Sequence, residues 1–373
     1  MTALHVGSAR NTAYQVGDTT TVVVRNVNEA LRHLVQLSKI EPLWRTISPR
    51  GMETREFRGT FITEYTHPRE RVLFCQVRDA NPFFHFMEAL WIMDGRDDLA
   101  FISQFNSNIS TYSDDGITFN APYGWRLRQH FQAVKFDDAE GVLNQQPVDQ
   151  LSEVIHLLKK DPDTRRAVLC LWDPAKDLNR DSKDIPCNDM VCFKLRDGEL
   201  GMTVMNRSND AIWGAYGANA VQFSMLHEFV ALACGAQMMG KYRQISDSFH
   251  VYTNQATWLK CRGAMNMPDM FNDPYLAHNL RPYPLMEPGY VWQEWLAQNH
   301  LFLRDELAKW PLQIAPFFYD VAVPMLAAWR AYKKEELPKK ERVAEAIEIL
   351  MSTCKAEDWS LAGIRWLRRR GEG

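Results

Sequence analysis

Cys187 is the cysteine of this sequence best placed for nucleophilic chemistry. It follows Ile185 and Pro186, comes after a charged loop and directly precedes a predicted strand, so its thiol is expected at a strand edge rather than deep in the apolar interior. A thiol that a neighbouring cation activates can add to an electrophilic carbon. For an isolated cysteine, a half-buried structural role would be the simpler interpretation, so the neighbouring motifs decide.

Three arginines in two compact motifs supply candidate cations. Arg165 and Arg166 end the polar run at residues 161–166, and Arg207 stands beside Ser208 just after a predicted hairpin. The planar guanidinium fork holds two phosphate oxygens at once, and a serine hydroxyl can add a further hydrogen bond. Each motif alone is typical of a surface ion-pair patch, but together they indicate a site for a phosphate dianion.

Hydrophobic periodicity predicts the elements that must position these side chains. Apolar spacings of three and four predict helices, whereas alternating or short continuous apolar runs predict strands. Helices are predicted at residues 27–40, 83–93, 148–160 and 220–234. Extended structure is predicted at residues 57–77 and 167–172, and a hairpin at residues 190–195 and 200–205 around an Asp-Gly turn. The helix at 83–93 carries a single acid, Glu88.

Composition and charge argue against several classes of protein. Of the 373 residues, 46% are hydrophobic and 24% charged, as in ordinary globular proteins, and the net charge of −3 argues against general nucleic-acid binding. The seven cysteines include no CxxC pair, so neither a disulfide framework nor a metal site is predicted. There is no recognisable signal peptide and no apolar run of about 18 residues, which predicts a cytoplasmic protein without a membrane partner.

In their order along the chain, these motifs resemble those of the thymidylate synthase family. The resemblance extends from about residue 26 to residue 254. The matching motifs are the helix around Glu88, the tyrosine-glycine turn at Tyr123, the double arginine Arg165-Arg166, the nucleophile Cys187, the group Arg207, Ser208 and Asp210, the asparagine Asn219, and the pair His250 and Tyr252.

The resemblance implies a fold, an assembly and a pair of substrates. The fold would be α/β (α+β), a mixed sheet covered by helices, and the exposed face of the sheet would pair two subunits in a homodimer. Residues 26–260 would form the catalytic domain, after a polar segment at 1–25 and before a Pro-punctuated, largely helical extension at 261–373. The substrates would be a pyrimidine nucleoside monophosphate and 5,10-methylenetetrahydrofolate, with no metal ion.

The family's chemistry then gives implied catalytic roles. Cys187 would add to C6 of the pyrimidine, so that C5 becomes nucleophilic and takes one carbon from the folate. Glu88 would relay protons and, with Asp210, contact the folate. Tyr123 and Asn188 would complete the catalytic set.

The remaining motif residues would bind the nucleotide. The implied ligands are Arg50, Arg207, Ser208, the partner subunit's Arg165 and the partner subunit's Arg166 at the 5′-phosphate, Asn219 at the base, and His250 with Tyr252 at the sugar. The Asn219 amide can donate to O4 and accept from N3–H, which favours uracil over cytosine. The sugar pair separates deoxyribose from ribose only weakly.

Three departures from the family pattern bear on the product. Asn188 follows the nucleophile where the family has histidine, residues 109–113 replace a tryptophan-rich segment, and about 110 mostly helical residues replace a short closing tail. A smaller and wetter pocket favours water over hydride as the group that captures the methylene intermediate.

The sequence therefore predicts a hydroxymethyltransferase that converts dUMP to 5-hydroxymethyl-dUMP. The alternatives are a thymidylate synthase, a dCMP or CMP hydroxymethylase, and a non-catalytic nucleotide or RNA binder. Because pyrimidine hydroxymethylases of this family also occur in phages, a phage-encoded protein in its host's cytoplasm is a further expectation.

Overall fold

The computed structural model describes residues 2–4, 12–137 and 142–372. Within these residues the strands are β1 (Thr2–Leu4), β2 (Thr12–Val16), β3 (Thr19–Val24), β4 (Trp44–Ile47), β5 (Thr54–Phe57), β6 (Phe61–Tyr65), β7 (Gln132–Asp137), β8 (Val142–Pro147), β9 (Val168–Cys170), β10 (Asn188–Arg196), β11 (Glu199–Asp210) and β12 (Met238–Tyr252). The helices are α1 (Val27–Leu37), α2 (Pro82–Met93), α3 (Leu99–Ile102), α4 (Tyr123–Trp125), α5 (Gln150–Lys160), α6 (Pro174–Asp177), α7 (Asn219–Cys234), α8 (Ala256–Gly263), α9 (Pro274–Ala277), α10 (Trp292–Leu303), α11 (Val323–Tyr332), α12 (Lys339–Thr353) and α13 (Glu357–Gly371).

A mixed sheet of ten strands forms the centre of the fold. Its order is β1-β2-β3-β6-β12-β11-β10-β9, with β5 pairing with both β12 and β4, while β7 and β8 form a separate ribbon. The pairs β3/β6 and β11/β12 are parallel and the other pairs are antiparallel. Buried and more exposed residues alternate along β11, so one face of the sheet is covered and the other is open. The predicted α/β class, a mixed sheet covered by helices with further helices at the C-terminal end, is confirmed.

The two central helices form where the apolar patterns predict them. Helix α2 begins after Asn81, whose side chain accepts hydrogen bonds from the backbone N–H groups of Phe83 and Phe84. Helix α7 ends at Gly235, whose φ of 80° forms a left-handed cap. Both helices are apolar on nearly all sides, because α2 and α7 pack against each other and are covered by further elements.

The predicted hairpin is confirmed and is longer than the sequence pattern indicates. Asp197 and Gly198, with φ values of 50° and 76°, make the tight turn that joins β10 to β11. Strand β11 continues past residue 205 to Asp210 and pairs in parallel with β12. The polar motif that contains Arg207 therefore lies on a strand in the middle of the sheet rather than in a loop.

The extended segment predicted at residues 57–77 is wrong over most of its length. Strand β6 ends at Tyr65, and residues 66–81 form irregular structure in which Val72 and Phe74 are buried. The reason is a tether from α1: the Asn28 amide donates to Val72 O at 3.0 Å and accepts from Phe74 N at 2.8 Å. One asparagine side chain thus takes the place of a neighbouring strand for this part of the backbone.

The buried strand predicted at residues 167–172 is only partly correct. Strand β9 has three residues and lies at the edge of the sheet. Leu169 and Leu171 are buried, but the Cys170 side chain is exposed. An edge strand has a partner on one side only, so its alternate side chains can reach solvent.

The C-terminal helices pack against α2. Phe83 contacts Trp329 of α11 and Trp366 of α13, with ring centroids 5.4 and 5.7 Å apart. Phe86 meets Trp359 edge-to-face at 5.0 Å. These helices therefore cover the outer side of α2, and the domain boundary at residue 260 stays a prediction. In the described part of the chain, no helix is both long and apolar enough to cross a membrane.

The contact between α4 and α2 depends on Gly124. A Cβ atom at position 124 would lie 2.2 Å from Ile92 O and 2.8 Å from Ile92 C. We expect Gly124→Ala to lower the free energy of unfolding, measured in urea, by about 3 kcal/mol, because backbone would have to move on both sides of the contact.

Gly263→Ala is the matched control. Gly263 ends α8, and no heavy atom lies within 4 Å of its hypothetical Cβ. We expect this variant to change the unfolding free energy by less than about 1 kcal/mol. Equal stability of the two variants would show that the close approach of α4 to α2 is not required.

Candidate active site

Most of the predicted site residues gather around one end of the parallel pair β11/β12, whereas Arg165 and Arg166 lie apart in the loop before the edge strand β9. Cys187 directly precedes β10, and Asp210 ends β11 opposite His250 of β12. Asn219 is the first residue of α7, and Glu88 lies in the middle of α2. Three strands and the two central helices therefore position the cluster.

Arg207 holds the loop that carries the nucleophile. Its Nε donates to Pro186 O at 2.8 Å, and its Nη2 donates to Ile185 O at 3.2 Å. Burial raises the pKa of the Cys187 thiol, and the positive charge of Arg207 opposes this rise. The thiol thus keeps its proton at neutral pH in the free protein, and its addition to an electrophile requires a proton acceptor.

Glu88 is the single acid on the largely apolar helix α2. Burial raises its pKa to about 8, although a hydrogen bond with Gln222 acts in the opposite direction. Its Oε2 atom is buried and has no hydrogen-bond partner among the described residues. A carboxyl group that titrates near neutral pH can both donate and accept a proton, as a general acid and base must.

Tyr123 stands between the nucleophile loop and Glu88. Burial raises the pKa of its phenol, and the neighbouring Cys187, Asp184 and Glu88 groups raise it further. Its hydroxyl group therefore remains protonated in the free protein and can donate a hydrogen bond.

Asp184 is a site residue that the sequence analysis missed. Its Oδ2 accepts the Ala121 N–H at 2.7 Å, and its backbone oxygen accepts from the Asn120 amide at 2.8 Å. Burial raises the pKa of Asp184 to about 6. The carboxyl group thus joins the Tyr123 turn to the Cys187 loop. The feature of the sequence that could have identified Asp184 is its position three residues before Cys187.

Asn188 points away from the nucleophile toward the neighbouring strand. It is buried, and its amide donates a hydrogen bond to Oδ1 of Asn206 on β11. Asn206 in turn donates to Ile245 O at 3.1 Å. The Asn188 Oδ1 atom is buried without a hydrogen-bond partner among the described residues, which leaves an acceptor for a ligand or a water molecule.

The two candidate sugar ligands lie side by side. The rings of His250 and Tyr252 are 5.2 Å apart and nearly perpendicular. Burial raises the pKa of the Tyr252 phenol, and the nearby Asp210 and Cys187 groups add to this shift. Burial also raises the pKa of Asp210, whose carboxyl group accepts a hydrogen bond from Ile212 N at 2.9 Å.

The remaining candidate phosphate ligands are less enclosed. Ser208 is half-buried opposite Ser248 on β12. Arg50 lies in an exposed turn with a left-handed φ of 52°, close enough to Tyr252 for its charge to act on the phenol. Arg165 and Arg166 are exposed in the loop before the edge strand β9.

The substituted segment at residues 109–113 lies beside the site. Most of it belongs to an exposed 3₁₀ turn (Ser107–Tyr112). Tyr112 is 53% exposed, and it lies close enough to Tyr252 to act on the pKa of that phenol. Ser110, Thr111 and Tyr112 are exposed, whereas Ser113 is buried, and a wetter pocket stays a prediction.

Asn219 is held in place by hydrogen bonds with Asn209 and Tyr242. It is buried, its Nδ2 donates to Oδ1 of Asn209 at 3.3 Å, and its backbone oxygen accepts from the Tyr242 hydroxyl at 3.5 Å.

Within the described residues, no group of three or more His, Cys, Asp or Glu side chains is arranged to hold a metal ion.

Known proteins are similar in sequence to this chain. The sequence model of the thymidylate synthase family matches residues 63–270. The deoxyuridylate hydroxymethyltransferase of Pseudomonas phage M6 is 42% identical over 354 residues, which cover 94% of this chain and 94% of that protein. The enzyme of the same name from Bacillus phage SP01 is 45% identical over 207 residues (55% of this chain and 52% of that protein), and the one from Delftia phage PhiW-14 is 31% identical over 215 residues (54% and 55%).

The raised pKa of Glu88 predicts a pH-dependent effect of Glu88→Gln on stability. In the folded protein the pKa of Glu88 is about 8, whereas a glutamate in the unfolded chain has its ordinary pKa of 4.5. Stability from this group is therefore lost as pH rises between these values. We therefore compare the unfolding free energy of Glu88→Gln with that of the parent at pH 5 and at pH 8. The difference, variant minus parent, should be larger at pH 8 than at pH 5 by at least about 1 kcal/mol.

The measurement is urea-induced unfolding of both proteins at the two pH values. The control is Glu348→Gln, which changes an exposed glutamate on α12 and should give the same difference from the parent at both pH values. A Glu88→Gln difference that does not change with pH would show that the folded and unfolded states bind this proton equally.

Proposed function

The chain belongs to the thymidylate synthase family of one-carbon transferases, and we propose on this premise that it converts dUMP to 5-hydroxymethyl-dUMP. The observation that carries the proposal is the similarity to a deoxyuridylate hydroxymethyltransferase over 94% of both chains. That similarity extends beyond the residues that the family model matches, so it includes most of the C-terminal helices.

The donor in this family is a folate that carries one carbon, and the proposed donor here is 5,10-methylenetetrahydrofolate. The reaction consumes dUMP, the folate and one water molecule, and it releases 5-hydroxymethyl-dUMP and tetrahydrofolate. The sulfur of Cys187 forms a bond to C6, and C5 then forms a bond to the folate's carbon. Loss of the C5 proton and of the folate nitrogen leaves an exocyclic methylene, which water attacks as the C6–S bond breaks.

Glu88 is the proposed proton relay in these steps. Its carboxyl group has a pKa of about 8, so both protonation states are accessible near neutral pH. Tyr123 lies close enough to Glu88, Asp184 and Cys187 for their charges to act on its phenol, and Tyr123 and Asp184 are proposed to hold water in the same path. Asp210 is the proposed hydrogen-bonding partner of the folate.

The nucleotide would bind through its phosphate, base and sugar. Arg207 and Ser208 on β11, with Arg50 from the exposed turn, are proposed to hold the 5′-phosphate. Fixing this remote group orients C6 against the sulfur, and the binding energy reduces the entropy loss of the addition step. Asn219 would read the uracil edge, and His250 with Tyr252 would bind the sugar hydroxyl.

We further propose that the enzyme is a homodimer with shared active sites. Met190 on β10 and Met205 on β11 are register partners, and each is 37% exposed on the open face of the sheet. A second copy of the chain would cover this face. Arg165 and Arg166, exposed before β9, would then reach the phosphate site of the other subunit.

The location proposed for the enzyme is the cytoplasm of a phage-infected cell. Relatives with the matching activity in their names are phage proteins. All seven cysteines are free, which agrees with a reducing compartment.

Product analysis tests the proposed reaction. We expect incubation with methylenetetrahydrofolate to convert dUMP, in preference to dCMP, UMP and CMP, to a product whose mass equals that of 5-hydroxymethyl-dUMP, with tetrahydrofolate released. Formation of dTMP with dihydrofolate would identify a thymidylate synthase instead. Cys187→Ala should bind dUMP and abolish turnover, whereas Cys170→Ala, at the exposed cysteine, should retain activity.

Mixing inactive variants tests the shared site. One variant is Cys187→Ala, and the other carries Arg165→Ala with Arg166→Ala. Random exchange of subunits makes half of the molecules mixed dimers, each with one complete site, so activity should return to about a quarter of the wild-type value.

The matched control mixes Cys187→Ala with Glu88→Gln. Both changes affect groups supplied by the same subunit as the nucleophile, so no mixed dimer has a complete site. We expect no recovery from this mixture. If the arginine variant mixed with Cys187→Ala also stays inactive although native mass spectrometry detects mixed dimers, the arginines do not act across the interface.

A further inference from the structure

A chain of three side-chain amides ends at the candidate base-reading residue, Asn219. Gln244 on β12 contacts Asn209 on β11, and Asn209 contacts Asn219 at the start of α7. Gln244 and Asn209 are each 1% exposed and Asn219 is 6% exposed, so water does not compete for these hydrogen bonds. We call these three residues the amide relay.

The backbone fixes the direction of every hydrogen bond in the amide relay. A peptide carbonyl can only accept, so the Gln244 atom that lies 3.0 Å from Ala215 O must be the amide nitrogen. Its Oε1 then faces Asn209 and accepts from the Asn209 Nδ2 at 3.0 Å. Because Asn209 uses its nitrogen there, its Oδ1 faces Asn219 and accepts the Asn219 N–H at 3.3 Å.

The chain brings the members of the relay together by a close backbone approach. A Cβ atom on Gly214 would lie 3.0 Å from Asn209 Oδ1 and 3.3 Å from Asn219 Nδ2, the two atoms that make the last hydrogen bond. Gly214 belongs to the segment Ala211–Ala218, which departs from helical geometry at Tyr216 and Gly217. The absence of a side chain at position 214 thus leaves room for the bond between Asn209 and Asn219.

We propose that Gln244 and Asn209 are positioning residues that hold the Asn219 amide in one of its two orientations and thereby select uracil over cytosine. The inference rests on the proposed function, in which Asn219 faces the pyrimidine edge. It adds two residues, on two strands, that would determine base specificity without contacting the base.

The reason is that an asparagine amide alone can match either base. Uracil presents an acceptor at O4 and a donor at N3, whereas cytosine presents a donor at N4 and an acceptor at N3. Rotation of the Asn219 amide by 180° would exchange its oxygen and nitrogen and so match cytosine. In the rotated state Asn219 Oδ1 would face Asn209 Oδ1, and two buried acceptors without a shared proton are unfavourable.

The test measures the ratio of kcat/KM for dUMP to kcat/KM for dCMP. Gln244→Met has nearly the same volume but removes the oxygen that orients Asn209. We expect this variant to lower the ratio at least about tenfold, with kcat/KM for dCMP rising, because either orientation of Asn219 becomes available. Asn219→Asp, which replaces the reading amide itself, gives a reference for a full change of preference.

Ser246→Ala is the matched control for Gln244→Met. The Ser246 hydroxyl also accepts a hydrogen bond from Asn209 Nδ2 at 3.0 Å. A hydroxyl group can donate or accept, however, so it gives Asn209 no preferred direction. We expect Ser246→Ala to leave the ratio within about twofold of wild type, even if it lowers stability by a similar amount.

The outcomes separate this inference from the proposed function. If wild type makes 5-hydroxymethyl-dUMP and Gln244→Met keeps the wild-type ratio, the amide relay does not set specificity. If wild type makes another product or prefers dCMP, the proposed function itself fails.

A second pair of variants applies if Gln244→Met does not fold. Asn209→Asp, which is protonated in this buried position, donates to Gln244 Oε1, still accepts from Asn219 and should keep the preference for dUMP, whereas Asn209→Leu removes the acceptor and should lose it. The same ratio for both Asn209 variants would overturn the proposal.

Discussion

The parallel pairing of β11 with β12 is the constraint on which the arrangement of the candidate site depends. Their register aligns Asp210 with His250 and Ser208 with Ser248, and a side-chain hydrogen bond from Asn209 to Gln244 also joins the two strands. Side chains alternate between the two faces of a strand, so a slip of one residue would turn each of these groups to the opposite face. The long apolar helix α7 connects β11 to β12 in the sequence. It is buried and packs against both strands, which opposes such a slip. The site is thus specified by the packing of the sheet before any ligand arrives.

A second consequence of this packing is the unusual protonation of the acids. Glu88 lies on α2, against α7, in surroundings that offer little polar compensation, and burial also raises the pKa of Asp184. Each charged form would be costly here. Glu88, with a pKa of about 8, keeps its proton near neutral pH and reduces stability only when it ionises, and the same property makes it useful in proton transfer. The stability of the folded protein therefore falls as pH rises because of acids at the positions where the chemistry is proposed.

Local patterns predicted the parts of the fold whose causes are local. The apolar spacing of α1, α2 and α7 and the Asp-Gly turn of the hairpin each act within a few residues. Residues 66–77 were mispredicted as extended because Asn28, more than forty positions before Val72 and Phe74, hydrogen-bonds to the backbone of both. At the site, the motifs around Cys187, Glu88 and Asn219 were found from the sequence, and the structure brings them together. Asp184 and the amide relay were missed because their partners are fixed only by tertiary packing, and the roles of Arg165 and Arg166 depend on a second chain.

The covering of α2 by the C-terminal helices has a consequence for synthesis on the ribosome. Helix α2 is apolar on nearly all sides, and Trp329 and Trp366, which pack against Phe83, are added more than 240 residues later. At a translation rate of about 5–20 residues per second, roughly ten to fifty seconds pass between the synthesis of α2 and the synthesis of the helices that bury this side of it. During that time the nascent chain exposes an aromatic surface that other unfinished chains can bind. Production of this protein in quantity therefore depends on how well a cell shields α2 until α11 and α13 have been made.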